Sequence, residues 1–430
     1  MSFSLASQAS EKEDWSLEQW LTYLEQVHPS SIELGLERVS EVFHNLNIDL
    51  GQRIIVTVAG TNGKGTTCAL VEQALLTSNH SVAVFSSPHL IDYRERVRIA
   101  GIMLTEKAHC LAFLKVDKAR GDTSLTYFEF GTLAAMQLMA DSDAHYLLLE
   151  VGLGGRLDAA NIVDPNIAVI TSIDLDHQDW LGDTRELIAT EKAGIFRADI
   201  PAVIGEPHPP ITLAEAVLEY QVKPLWQGTD FYFHVDDKGF HWKGCTTFYD
   251  NLPIPNIPVQ NASTALQVIE ILNIRLDNRQ MAQVFKQTSL PGRRQVIQHK
   301  PKVMLDVAHN PQATHLLAYD IKNMKIKRVI AVVAMLADKD IDATLTPMLS
   351  AVNIWHCASL DVPRGARSSA LVSAVLSPEQ TVLEYETVEV AYERALEKAE
   401  KDDLVIVFGS FFTVNKVLKM GSIVPNEKVK

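Results

Sequence analysis

Several groups of residues combine side-chain types and spacings that could do chemistry. The first is the run Gly60-Thr61-Asn62-Gly63-Lys64-Gly65-Thr66-Thr67. Its glycines let the backbone take up positive φ and come close to a ligand. The helix-like pattern that starts at Cys68, after the paired threonines, would aim unpaired N–H groups and a positive dipole end at the same point. Such a place suits an anion. Lys64 would add a point charge at the β/γ-phosphates of a nucleoside triphosphate, and the hydroxyl of Thr66 or Thr67 could ligate Mg²⁺. The run departs from the Walker A pattern, with Val58 where that pattern has glycine and Gly65 between the lysine and the threonine. An ordinary glycine-rich turn is the alternative use.

The second group is acidic and imidazole-bearing. YLLLE ends at Glu150 and leads into a glycine-rich turn with Arg156, Asp158 and Asn161. IAVIT leads into Asp174, Asp176, His177 and Asp179, and VAVF into Ser86, Ser87, Pro88 and His89. A carboxylate at a strand end beside a phosphate loop has the chemistry for Mg²⁺, a hard ion that takes oxygen ligands. The structural alternatives are a salt bridge from Glu150 to Arg156, a helix-capping His177 and a simple polar turn at the serines. Spacing alone reads Lys192 as a solvated helix lysine, and Arg94, Arg96 and Arg98 as a solvated strand face or an anion contact. Thr126, Tyr127, Phe128, Glu129 and Phe130 could wall a planar heterocycle or simply pack a core. Asp306, His309 and Asn310 form a further cluster of polar groups after an apolar run.

Stepping each group onto its elements gives a repeated order of apolar strand, polar loop and helix. In a parallel α/β sheet such loops collect at the carboxyl ends of the strands. Two amphipathic helices precede the first strand, carrying Trp15, Leu17, Trp20, Leu21 and Leu24 and then Leu36, Val39, Val42, Phe43 and Leu46. FYFHVDDKGFHWKG reads as a hairpin. The Pro-Gly punctuation of SLPGRRQVI marks a boundary, after which KVMLDVAHNP, RVIAVVAML, NIWHC and LVIVFGS restart the strand rhythm. The expected fold class is α/β, with domains over 1–291, P-loop-type around a mainly parallel sheet, and 299–430, smaller and Rossmann-like.

A chain of 430 residues exceeds one typical core. Its net charge of −14 argues against a non-specific nucleic-acid or anionic-membrane surface. No apolar run is long enough to span a bilayer, and MSFSLASQASEKEDW has no basic start followed by an apolar stretch, so the expectation is a cytoplasmic protein. Cys68, Cys110, Cys245 and Cys357 lack metal-ligand spacing and read as buried, reduced thiols.

Taken in order, GTNGKGT, SSPHL, TYFEFGT, EVGLGGRLDAAN, DLDHQDWLG, EKAGI, LPGRRQ, LDVAHNP and PRGA resemble the bacterial bifunctional dihydrofolate synthase/folylpolyglutamate synthase family, within the Mur ligase superfamily. GTNGKGT is the phosphate-loop form of that superfamily. The resemblance implies an ATP-dependent ligase that adds L-glutamate to 7,8-dihydropteroate and to the γ-carboxyl of reduced folates through an acyl phosphate. It assigns Gly60, Thr61, Asn62, Gly63, Lys64, Gly65, Thr66, Asn261, Arg293 and Asp306 to ATP, and Ser87, Glu150 and His177 to magnesium. Lys192 becomes a carbamylated ligand, and His309 lies near the reaction centre. Glu33, Leu34, Gly35, Thr126, Tyr127, Phe128, Glu129, Leu157, Asp158 and Ala159 become pteroate contacts. The family members are often monomers, and the implied partners are the small-molecule substrates alone, with no nucleic acid or membrane. One departure is Phe412, where the family commonly has histidine. The alternatives are a Mur-type ligase acting on a cell-wall nucleotide precursor, and a nucleotide-binding protein without catalysis.

Overall fold

IIVTVA, a buried β-branched run without a helical period, can only be satisfied between two neighbours, and it forms the middle of the main sheet. In this computed structural model residues 12–30, 32–324 and 326–421 are described. Most of the N-terminal stretch MSFSLASQASEKEDW, residues 1–11, and Ser31 lie outside them. The chain divides into two compact units, Met1–Thr288 and Ser289–Lys430.

The first unit's main sheet contains β1 (Ile54–Ala59), β2 (Val82–Phe85), β3 (Val97–Ile99), β4 (Ile102–Met103), β5 (Tyr146–Glu150), β6 (Ile167–Ile170), β7 (Pro201–Ile204) and β8 (Lys223–Trp226). Their order across the sheet is β4-β3-β2-β5-β1-β6-β7-β8. Strands β2, β5, β1, β6, β7 and β8 run parallel, and β3 and β4 add an antiparallel edge. Parallel pairing brings the carboxyl ends of β2, β5, β1 and β6 to one end of the sheet, so the loops at Ser87, Glu150, Gly60 and Asp174 are neighbours by construction.

Helices cover both faces. Lys64–Thr77 and Val259–Ile271 share one core cluster with Val56, Val58 and Leu148, and the helices Leu17–Leu24, Glu37–Leu46, Glu106–Arg120 and Tyr127–Ala140 share the other with Ile55, Leu147 and Leu149. The alternation of adjacent strand residues between the two clusters is the period-2 pleat of a sheet buried on both sides. The expected hairpin is β9 (Tyr232–Asp236) with β10 (Gly239–Lys243), extended by β11 (Phe248–Leu252) into a three-stranded antiparallel sheet.

The second unit holds β12 (Gln295–His299), β13 (Lys302–Leu305), β14 (Val329–Val333), β15 (Ile354–Ala358), β16 (Thr381–Tyr385) and β17 (Leu404–Phe408), ordered β12-β13-β17-β14-β15-β16. All pairs but β12–β13 are parallel. The second compact unit starts at Ser289, and Gln295–Gln298, left between the two expected domains, form most of its edge strand β12. No described helix is long and apolar enough to cross a membrane.

Two other expectations change. Cys245 is exposed and Cys110 half-buried, while Cys68 and Cys357 are buried; all four are free thiols. DYRERVRI is neither a solvated strand face nor an open anion contact. It forms a 3-10 turn, Tyr93–Arg96, running into β3, with Arg98 paired to buried Glu72 at 2.7 Å and Arg94 to Asp92 at 2.6 Å.

Candidate active site

β1 discharges into the glycine-rich loop, and the helix Lys64–Thr77 begins with Gly63 as its N-cap at φ 87°, ψ −6°. That left-handed φ favours glycine, and a Cβ there would also fall 2.4 Å from Asn261 Oδ1. The loop is tied to the segment after β6: Thr61 N donates to Ser172 O at 2.8 Å, Thr171 Oγ1 to Asn62 O at 2.7 Å, and Thr61 Oγ1 to Asp174 O at 3.0 Å. Thr171 and Ser172 were not singled out from the sequence, where the acids that follow them drew the attention. Lys64 Nζ folds back over the loop, 2.9 Å from Gly60 O and 3.4 Å from Thr61 O. Thr66 Oγ1 donates to Gly63 O at 3.0 Å and accepts from Asn261 Nδ2 at 2.8 Å. A loop so braced, ending at a helix N-terminus, is preorganised for an anion of phosphate size.

Beside it, Glu150 at the end of β5 is buried, and its Oε2 accepts from Ser87 N at 3.2 Å. The alternative bridge from Glu150 to Arg156 does not form: Arg156 pairs with Glu191 at 2.7 Å and is half-exposed. His177 is exposed, in the left-handed conformation at φ 51°, opening the short helix Gln178–Leu181 without a side-chain cap bond. The helix-capping alternative for its side chain is thereby removed.

Lys192 reverses its reading from spacing. It is 3% exposed at the end of the helix Arg185–Ala193. The glycine-rich turn after β5 packs flush on that helix end, Arg156 N donating to Glu191 O at 2.7 Å; a Cβ on Gly155 would lie 2.8 Å from Lys192 O. Burial first, and then the Lys64 charge, push the Lys192 ammonium down to about 7, against the opposing pull of Asp176 and Asp158. Asp158 is buried too, and burial raises its carboxyl to about 6 although it accepts from Gly152 N, Leu153 N and Ala160 N. It fastens the turn that carries Leu157 and Ala159. Asn161 Nδ2 donates to Arg156 O and Gly194 O, both at 3.0 Å.

The aromatic stretch opens the helix Tyr127–Ala140. Thr126 and Glu129 form a capping box, each side chain bonding the other's backbone N–H. Phe128 lies 6.0 Å from Phe85 between ring centroids, and Tyr127 faces Arg96, whose Cζ is 5.5 Å from the ring. Arg96 Nε donates to His89 Nδ1 at 2.9 Å. Burial, and then Arg96, hold the His89 imidazole down at about 4, so it is a neutral acceptor turned toward the arginine. Arg38 passed unnoticed in the sequence because it sits on an ordinary amphipathic helix. It bridges Glu33 and Glu129, with 3.0 Å to Glu129 Oε1, and His28 Nε2 holds Glu33 from the other side at 2.8 Å. Glu129 is buried. Leu34 and Gly35 lie in the segment between Glu33 and the helix Glu37–Leu46.

In the second unit Asp306 Oδ1 accepts from Ala308 N at 2.8 Å and Oδ2 from Arg294 N at 2.9 Å, which shapes the loop after β13. Arg294 is paired with Asp320, whereas the Arg293 guanidinium lies 4.7 Å over the Phe411 ring. His309 is 6.2 Å from the same ring and contacts Val307 O through Nδ1 at 2.8 Å. Phe411, absent from the candidate residues, is the packing surface both share. Phe412 is 45% exposed. Asn310 caps the helix Pro311–Asn323.

The oxygen-rich set at the end of the main sheet, with its buried carboxylate, fits a hard divalent ion next to a triphosphate. Comparison with known proteins agrees in kind. The Mur ligase middle domain matches residues 58–204 and the Mur ligase glutamate ligase domain residues 292–411. The chain is 44% identical over 405 residues to the dihydrofolate synthase/folylpolyglutamate synthase of Escherichia coli K12, covering 94% of this chain and 95% of that protein. It is 39% identical over 419 residues to the enzyme of the same name from Haemophilus influenzae, with 93% and 96% covered. Among solved structures, E. coli FolC in complex with DHPP and ADP superposes with a TM-score of 0.91 at 43% identity, covering 96% of this chain and 99% of that one. The Yersinia pestis bifunctional folylpolyglutamate synthase/dihydrofolate synthase complexed with AMPPNP and Mn ion gives 0.90 at 45% identity, with 95% and 99% covered.

Proposed function

The chain belongs to the dihydrofolate synthase/folylpolyglutamate synthase family of Mur ligases, and from that premise we propose how its own residues carry the reaction. It is an ATP-dependent ligase that joins L-glutamate to 7,8-dihydropteroate, and to the γ-carboxyl of reduced folates, by an amide bond. The observation that carries the site assignment is the braced loop Gly60–Thr66 at the same sheet end as buried Glu150. The relatives give the alternative cell-wall ligase no support, since those compared carry folate names.

The reacting groups are both anions, so their approach must be neutralised before it can be catalysed. Lys64 leaves the Gly60 and Thr61 carbonyls to meet the β/γ-phosphates, and the N–H groups at the start of Lys64–Thr77 take the rest of that charge. Asn261 keeps Thr66 in place. Ser87, Glu150 and His177 would hold the divalent ion, which when bound would supply further positive charge to offset that of the phosphates. Arg293 and Asp306 are assigned to ATP, and His309 to the reaction centre, by the family pattern.

The acceptor carboxylate attacks the ATP γ-phosphorus, forming an acyl phosphate and releasing ADP. The glutamate amine then attacks the acyl carbon, loses a proton and expels phosphate. Tyr127, Phe128 and the Arg38-linked pair Glu33 and Glu129, with Leu34, Gly35, Thr126, Leu157, Asp158 and Ala159, would hold the pteroyl group: an apolar wall with a few polar groups that fix its orientation.

Lys192 is the finer part of the proposal. An amine brought down to about 7 is partly neutral at physiological pH, and only the neutral amine attacks CO₂. The lone pair of the neutral amine forms the N–C bond, one proton leaves, and the side chain becomes a carbamate anion beside Lys64. A cytoplasmic monomer completes the reading, checked by cell fractionation and by sedimentation of the purified chain. The test of the activity is glutamate-dependent phosphate release with dihydropteroate as acceptor.

A further inference from the structure

The hairpin β9–β10 carries a cluster that the ligase chemistry does not use. Its inner face is apolar, with Phe240 and Trp242 buried in the core beside Tyr249 of β11. Alternation along the strands puts His234, Asp236, His241 and Asp250 on the opposite face. His234 and His241 are directly opposite each other in the antiparallel register, and their imidazoles stack at 4.3 Å with an interplanar angle of 1°. His241 Nε2 is 3.0 Å from Asp236 Oδ1, and its Nδ1 is 3.0 Å from Asp250 Oδ1. Asp236 Oδ1 also accepts from Lys238 N at 2.8 Å, which fixes the carboxylate at the turn.

We propose that His234, Asp236 and His241 form a binding site for a divalent transition-metal ion of the zinc class, with Asp250 orienting His241 from behind. One nitrogen from each imidazole and one oxygen of Asp236 lie within 4.8 Å of one another. A tetrahedral zinc site with bonds of roughly 2.0–2.1 Å sets its ligand atoms about 3.3 Å apart. The Nε2–Oδ1 pair of His241 and Asp236 is already closer than that, and the remaining adjustment falls on the exposed His234 side chain, which would turn out of its stack on His241 to converge on the ion. The ion would take the place of the proton on His241 Nε2. The Nδ1–H donated to Asp250 is the carboxylate–histidine–metal arrangement that fixes ring orientation and strengthens the ligand. Two imidazoles among three donors select zinc-class ions over magnesium or calcium, which require oxygen. With two ligands on one strand and one on the next, the ion would cross-link the hairpin.

The test is calorimetric titration of ZnCl₂ into the tag-free, chelator-treated full-length protein, with Mg²⁺ and ATP saturating. Wild type and Glu150→Gln are expected to bind zinc at one common site. Asp250→Asn should weaken that binding about ten-fold, and His234→Ala by more. Melting curves without metal establish that the variants fold; His234 lies outside the core, so its removal spares the packing. Failure of wild type to bind zinc, unchanged binding in His234→Ala, or loss of binding only in Glu150→Gln overturns the proposal. The Glu150→Gln arm separates this site from the one assigned to magnesium.

Discussion

Asn261 Nδ2 donates a hydrogen bond to Thr66 Oγ1 across 2.8 Å, although 195 residues separate the two in the chain. The hydroxyl spends its own proton on Gly63 O and so keeps one lone pair for a further partner. The helix Val259–Ile271, through one amide, thus sets the orientation of a phosphate-loop threonine. Asn261→Ala removes the donor while leaving the threonine. The expected result is a rise of about ten-fold in the KM for ATP, the size of one lost hydrogen bond. Steady-state kinetics at varied ATP check it, and an unchanged KM removes Asn261 from the site.

Lys64→Ala takes away the one side-chain cation of the loop. Turnover should fall by on the order of 10² or more, because the lost charge acts on the transferring phosphoryl group. Single-turnover ATP cleavage with dihydropteroate measures this directly. Near-normal turnover in a folded variant is incompatible with the role given to Lys64.

Arg38 forms an ion pair with buried Glu129 and also clasps Glu33. Arg38→Met leaves that carboxylate uncompensated. A stability loss of about 2 kcal/mol is expected, below the figure for a fully buried pair because the arginine is partly exposed. The KM for dihydropteroate should rise, with little change in the KM for ATP. Arg38→Lys should rescue this poorly, since an ammonium cannot fork between two carboxylates. Equal effects on both substrates would show that the change is not confined to the pteroyl pocket.

For Lys192 the folded value of about 7 lies below the ordinary lysine value of 10.5. Between those limits the unfolded chain holds more protons than the native one, so this lysine makes stability rise with pH across the window. In CO₂-free buffer, wild type should therefore gain stability relative to Lys192→Met from pH 7 toward 10.5, and the difference should level off below 7. Urea unfolding at several pH values reads it. With bicarbonate present, the intact mass should increase by one CO₂, and full activity in Lys192→Ala would refute the carbamate.

The main lines of the fold were legible because strand, glycine turn and helix each leave a local mark. IIVTVA and YLLLE show buried parallel strands, and Gly63 shows the turn that needs positive φ. The burial of Lys192 was not legible from spacing, and only the family resemblance singled that residue out: a lysine on a helix looks solvated until the turn at Gly155 is seen to pack on it. Arg38, Thr171 and Phe411 were missed for a related reason. Each acts on a partner distant in sequence or on a neighbour of unremarkable type, and amphipathic periodicity records burial without naming what is touched. The start of the second unit was hidden because the Pro291-Gly292 punctuation comes just before an edge strand, Gln295–His299, that is only half-buried.

The most direct measurement is glutamate-dependent phosphate release from ATP and Mg²⁺ with three acceptors in parallel, dihydropteroate, tetrahydrofolate and a UDP-linked acid, and mass analysis of the products. The first two should support turnover and each should gain one glutamate residue through an amide, γ-linked in the folate case. Turnover with neither, or only with a UDP-linked acid, would contradict the assignment.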